Sequence, residues 1–320
     1  LLIPLIASQM GMMRAVPVAV ALLVAGLAQL GFLYWTLARI DAVPPLVWPR
    51  LSDAGRKMWR NFLPSAAGAG GMQINLLIDL ILASLLPVGA ISWLYYADRV
   101  AQLPLGIVGI ALGTALQPRL SAAEAGSRSA EVRDSLAEAV GLAGFLVIPA
   151  VAGLVLCGLS IMQGLFVYGA FDESDAQMAA LALTAYGCGL PGFVMVKILQ
   201  TAFYAAGQPG IVLKVSLTTV AINVAGSLLL MPILGHVGLA LATAISGTAA
   251  ATIMVVLLAR QKRVSTAFLS GLGKIILATA VMGAAVMSLQ YGLDRFLHVP
   301  AAFDLVIIVG GGGAVYALMC

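Results

Sequence analysis

The chain has 320 residues, of which 62% are hydrophobic and only 9% charged, and its mean hydropathy is +1.05. Soluble domains carry roughly a quarter charged residues, so this composition excludes a water-solvated globular surface and makes lipid the solvent. The net charge of +4 does not point to nucleic acid, because the cations sit mostly in short connections between apolar runs.

Lipid offers backbone polar groups no partners, so only helices and closed barrels cross it. The apolar runs here are about 20 residues long and do not alternate in polarity, which selects helices. Residues 1–13 read as the tail of a broken span, and the chain reads as a piece of a longer protein. Nine full spans follow: 16–37, free of charge; 62–86, with Asn75 and Asp79; 90–116, with Asp98 and Arg99; 139–167; 178–206, with Lys197; the hairpin 215–234 and 237–259; then 275–293 and 301–320.

The connections set the orientation. Arg39, Arg50, Arg56, Lys57 and Arg60 share one connection; skipping one each time, Arg119, Arg128 and Arg133 follow, then Lys214, then Arg260, Lys262, Arg263 and Lys274. Only Arg14 and Arg295 fall on the opposite side, where Asp172, Glu173 and Asp175 also lie. The basic side is cytoplasmic. Pro64, Pro104, Pro118, Pro149 and Pro191 fall within or at the edges of spans, and glycine is abundant. Both features serve close helix packing, and both suit bent, mobile helices around a cavity.

Ionisable groups inside spans are expensive and mark functional sites. Arg99 lies nine residues past the start of its run, roughly 14 Å into the bilayer. Ser92, Tyr95, Arg99 and Gln102 recur at spacings of three and four, so they share one helix face. A guanidinium on such a polar stripe suits phosphate oxygens, which its planar fork binds in pairs; a structural ion pair between helices is the alternative. Asp98 is adjacent but about 100° round the helix. Asp79, Ser227 and Thr243 sit at one depth, with Asn75 and Asn223 a turn deeper. A carboxylate among neutral oxygens suits a small hard cation, a coupling Na⁺ or H⁺; ordinary interhelical hydrogen bonding accounts for the same residues. Lys197 either snorkels toward the cytoplasm or joins a cationic cavity.

No enzyme pattern is present: there is no G-x-S-x-G, phosphate-binding loop or H-E-x-x-H. Cys157 and Cys188 lie inside apolar runs and Cys320 is the last residue, which gives neither a disulfide framework nor a metal spacing.

The stretch INLLIDLILASLLPVGAISWLYYADRVAQLPLGIVGIALGTALQPRLS (74–121) closely resembles the MurJ/MviN lipid II flippase family. So do LFVYGAFD (165–172), YGCGLPGFVMVKILQTAFYAAGQP (186–209) and HVGLALATAIS (236–246). The resemblance extends from about Val16 to Arg263. It implies an all-α polytopic membrane helical bundle of the MOP type. Residues 1–52 would be the remnant of a first bundle and the loop after it, 53–263 a complete second six-helix bundle, and 264–320 two additional helices. It also implies a non-enzymatic, monomeric carrier in the bacterial inner membrane. Such a carrier moves undecaprenyl-diphosphate-linked disaccharide-pentapeptide outward by alternating access for peptidoglycan synthesis. Arg99 matches the family's second-bundle cavity arginine, and Ser92 and Asp98 match the same motif. Gln102 stands where some members carry Glu, and Ser227 where a carboxylate would strengthen a cation site. Tyr95 and Lys197 complete the expected substrate-binding set; Asp79, Asn223, Ser227 and Thr243 form the expected cation set. The family's other cavity arginines belong to first-bundle helices that this chain lacks, so the chain alone is not expected to transport. The rivals are another MOP-type transporter, exporting drugs or a different polyprenyl-linked glycan, and a membrane scaffold without transport.

Overall fold

The computed structural model describes residues 15–42, 53–263, 269–296 and 301–319. The expected broken span at 1–13, with Arg14, Arg50, His298 and Cys320, lies outside them. By contact density the chain divides into two compact units, Leu1–Arg56 and Lys57–Cys320.

Helix α1 (Ala15–Arg39) is apolar throughout and ends on Arg39, whose guanidinium lies over the Trp35 ring at 4.1 Å. A cation in the last turn complements the helix dipole, and a Trp beside it suits the membrane–water boundary. Then come α2 (Asp53–Ala83), α3 (Ala90–Pro104), a π-helical turn π1 (Leu105–Ile110), α4 (Ala111–Ala125), α5 (Ser129–Leu156) and α6 (Gly158–Phe166). The chain continues with α7 (Glu173–Ala205), α8 (Pro209–Leu234), α9 (His236–Arg260), α10 (Leu269–Phe296) and α11 (Ala301–Met319). Among the described residues there are no strands. Among the described residues, seven helical segments are long and apolar enough to cross a membrane, and α2 and α11 occupy the remaining two expected runs.

Two expected spans are not simple helices. The run 90–116 is a composite of α3, π1 and α4 that continues to Ala125. Pro104 ends α3, and because it has no N–H it cannot hold the Val100 carbonyl as an α-helix would; the wider π turn follows at once. The run 139–167 begins earlier, at Ser129, and breaks at Cys157, whose φ of −101° and ψ of 7° separate α5 from α6.

Helix α7 is the hub, packed against α3, α4, α5, α6 and α9. Its N-terminus is capped by Asp172, which accepts from the Asp175 N–H (2.9 Å), while Asp175 Oδ2 accepts from the Asp172 N–H (3.2 Å). The Asp175 N–H and then the Ser174 hydroxyl hold the exposed Asp172 carboxyl below its ordinary value. Small residues let α7 meet α9 closely: a methyl at Gly189 would lie 2.6 Å from Ala244 Cα, and one at Gly192 2.7 Å from Thr248 Cα. The α8–α9 turn runs through Gly235, whose φ of +57° is a left-handed value disfavoured for other residues.

The last two helices pack on α5 and α6. Pro149 lies inside α5 and withholds the N–H that would meet the Phe145 carbonyl. The Tyr316 hydroxyl of α11 donates to that oxygen at 2.7 Å. At the α5–α6 break, Gln290 Nε2 of α10 donates to the Leu156 carbonyl at 3.3 Å. Both ties satisfy carbonyls that a broken helix leaves exposed to hydrocarbon.

Two predictions follow from this packing. Tyr316→Phe should lower stability by about 1 kcal/mol, the scale of a hydrogen bond inside a membrane protein. Pro149→Ala restores the missing N–H, so a double-mutant cycle read by unfolding in mixed micelles should show most of that cost gone in the Pro149→Ala background. Gly192→Ala should cost about 1–3 kcal/mol through overpacking against α9. Gly210→Ala, with no neighbour within 4 Å of the new methyl, should be nearly neutral in the same assay.

Candidate functional site

Arg99 sits one turn before the end of α3 and is exposed. Its guanidinium carbon lies 4.9 Å from the centre of the Tyr95 ring, a cation–π contact. One of its N–H groups donates to Gln102 Oε1 at 3.2 Å. Gln102 Nε2 donates in turn to Asp98 Oδ2 at 2.5 Å. Tyr95, Arg99 and Gln102 thus form the continuous stripe that their spacing sets, and Asp98 joins it through the Gln102 amide. Ser92 is exposed one turn before Tyr95 and Tyr96. Among the described residues no carboxylate lies within 4.0 Å of the Arg99 nitrogens. The guanidinium therefore presents most of its five donors outward, an arrangement suited to paired anionic oxygens.

A second polar cluster lies where α2, α8 and α9 meet. Asn75 Nδ2 donates to Asp79 Oδ2 at 3.4 Å. The Thr243 hydroxyl accepts from Asn223 Nδ2 at 2.9 Å, and its proton is shared between Asp79 Oδ2 (3.3 Å) and the Leu239 carbonyl (3.1 Å). Asn223 and Ser227 are fully buried. Four buried oxygens of this cluster have no hydrogen-bond partner among the described residues: Asn75 Oδ1, Asp79 Oδ1, Asn223 Oδ1 and Ser227 Oγ. Buried acceptors are normally satisfied. An all-oxygen set with one carboxylate is the donor chemistry that a small hard cation takes. The structure brings Asp79, Asn75, Thr243 and Asn223 into one hydrogen-bonded group; Ser227 lies one turn along α8 from Asn223.

Lys197 is half-buried in α7 and has no ion pair or hydrogen bond among the described residues. Its backbone carbonyl packs against Gly113 of α4. It belongs neither to the Arg99 stripe nor to the Asp79 group. A shallow groove of about 510 Å³, lined by Cys188, Ala244, Thr248 and Thr252 among others, lies between α7 and α9 and includes none of these charged residues.

The sequence reading leaves out a contact at the outer rim. His236, which has no ligand partners in the sequence, is buried with Nε2 2.9 Å from the Met178 carbonyl. Its ring meets Trp93 edge-on at 5.0 Å. Trp93 Nε1 donates to Asp175 Oδ1 at 2.7 Å, so α3, α7 and α9 are tied together at their outer ends. No spacing in the sequence signals a contact between residues so far apart; the placement of Asp175 and His236 at the outer connections is the one clue it offers.

The family model "Lipid II flippase MurJ" matches residues 2–303. A protein of Rhizobium tropici described as a probable lipid II flippase MurJ is 33% identical over 279 residues, 87% of this chain and 52% of its own length. A lipid II flippase MurJ of Burkholderia cenocepacia is 32% identical over 226 residues, 69% of this chain and 44% of its own. The chain thus spans about half the length of the curated relatives it matches. A solved lipid II flippase MurJ in an inward closed conformation superposes with a TM-score of 0.68 at 22% identity, covering 83% of this chain and 52% of that one. A MOP superfamily transporter from Pyrococcus furiosus does so at 0.51 and 14% identity, covering 80% and 62%. These structural likenesses establish the MOP-type helical fold. The family match and the apolar helices together describe a multi-pass inner-membrane protein. By the match over nearly its whole length, the chain belongs to the MurJ family of lipid II flippases.

Proposed function

We propose that this chain supplies the second-bundle half of a lipid II flippase, with residues 53–263 as that bundle, 1–52 as the remnant of the first, and 264–320 as the additional pair. The observation that carries the reading is the Arg99 guanidinium. It is held over Tyr95 and against Gln102 with no carboxylate on it, on the polar stripe of a membrane helix in a family of lipid-linked glycan carriers. In this reading Arg99 contacts the diphosphate of the undecaprenyl-linked disaccharide-pentapeptide. Tyr95, Ser92 and Gln102 line its path, Asp98 provides the local counter-charge, and Lys197 adds positive potential deeper in the same half. The glycan head group crosses through a polar cavity while the polyprenyl tail stays among membrane lipids, and rocking of the two bundles exposes the cavity to one side at a time. The chain acts as a carrier, with no catalytic residue assigned, and works as a monomer. A carboxylate-lined cavity would favour a cation-coupled drug exporter; the guanidinium favours a phosphate-bearing cargo.

Asp79, Asn75, Asn223, Thr243 and Ser227 would hold a coupling cation, Na⁺ or H⁺, using the four oxygens without partners. When bound, the cation neutralises Asp79 inside the membrane and so biases which conformation is stable. Ser227 and Asn223 keep the site dry, and Thr243 links α9 to α2 through Asp79.

Two tests follow. Arg99→Ala, in the protein as its host expresses it, should abolish lipid II translocation measured by access of the head group to an external probe. Arg99→Lys should keep a fraction, because it retains charge without the bidentate fork. Full translocation by Arg99→Ala would refute the assignment. Asp79→Asn should remove the dependence of transport on the coupling cation, read as rates at varied Na⁺ and varied external pH. A variant that keeps the wild-type response to both would exclude the cation role.

A further inference from the structure

We infer that Gln102 is a positioning residue that keeps Arg99 available to an anion by occupying Asp98. Asp98 and Arg99 are adjacent, and adjacency is enough for an ion pair in this protein: Arg133 and Asp134, also neighbours on a helix, lie 3.7 Å apart. Asp98 and Arg99 form no such pair. The residue one turn on gives Asp98 another partner. The Gln102 amide donates its Nε2 hydrogen to Asp98 Oδ2 and presents Oε1 to Arg99. Only this orientation of the amide serves both neighbours, since a carboxylate only accepts and a guanidinium only donates. The amide is thus a neutral spacer between two opposite charges. It gives Asp98 a partner other than Arg99, and it holds the guanidinium on the Tyr95 face with its remaining donors free.

The charge balance makes the spacer matter. A guanidinium closed onto a carboxylate is neutral and has its best bidentate edge filled, so an incoming diphosphate must first displace that carboxylate. With the amide between them, the diphosphate meets an Arg⁺ whose fork is open. Gln102 therefore acts through Arg99 and sets how strongly this wall of the cavity takes a diphosphate.

This inference rests on the reading of Arg99 as the diphosphate contact, and the experiment separates the two. Binding of lipid II to the detergent-purified protein, as its host expresses it, would be measured for wild type, Arg99→Ala, Gln102→Leu and the double variant Asp98→Asn/Gln102→Leu, with inorganic pyrophosphate as competitor. Gln102→Leu frees Asp98 to capture Arg99 and should weaken binding about tenfold. The double variant removes the capturing carboxylate and should regain most of that loss, with pyrophosphate competition restored. A spacer that mattered only for folding would not be rescued by a second substitution at Asp98. All three side chains are at least partly exposed, so melting temperatures should stay close to wild type. A double variant as weak as Gln102→Leu, or a Gln102→Leu variant that binds like wild type, would overturn the spacer role. Wild-type binding by Arg99→Ala would overturn the functional reading itself, and the spacer role with it.

Discussion

Inside hydrocarbon no water stands ready to meet a carbonyl or a charge, and this constraint shapes the protein more than any single packing contact. Two irregularities in its helices are answered by side chains from elsewhere in the fold. Pro149 strips the Phe145 carbonyl of its helical partner, and Tyr316 meets it from a helix more than 150 residues later. The break after Leu156 is met by Gln290. Kinks of this kind are tolerated in membranes when neighbours satisfy the freed groups. Here the last two helices do so, which ties them to α5 and α6 by chemistry as well as by shape.

The same constraint explains where small residues are used. Lipid gives helices no hydrophobic reason to associate, so they gain by close approach. Helices α7 and α9 meet at Gly189 and Gly192 so closely that a methyl would collide with backbone. That contact fixes the hub of the bundle. The elements around the hub can then depart from ideal geometry, as π1 does after Pro104, without loss of the overall arrangement.

Polar side chains in the spans fall into two chemical types. The Asp79 group is buried, shared by three helices, and left with oxygens that have no partner among the described residues, which a positive charge would satisfy. The Arg99 group is borne by one helix and is exposed, with its counter-charge held apart by an amide, an arrangement that would suit a negative one. The two groups differ in the charge their free atoms would accept. The two groups share no side chain, so a cation at one and an anion at the other would not compete for the same ligands.

The sequence alone determined that the chain is helical and crosses the membrane, because hydrocarbon thickness dictates the length of the apolar runs and leaves helices as the spans that fit them. It also determined the Tyr95–Arg99–Gln102 stripe, since the pitch of a helix places residues three and four apart on one side wherever the helix lies. The tertiary structure decided what periodicity cannot express. That includes the meeting of Asp79 with Thr243 across 164 positions, the rim contact among Trp93, Asp175 and His236, and the break of one long run at Cys157. Depth along a span can be counted from residue numbers, but azimuth between helices depends on how their surfaces pack. For that reason Asp79, Asn223 and Thr243 are joined in one group while Lys197, marked by the same kind of argument, stands apart from both sites.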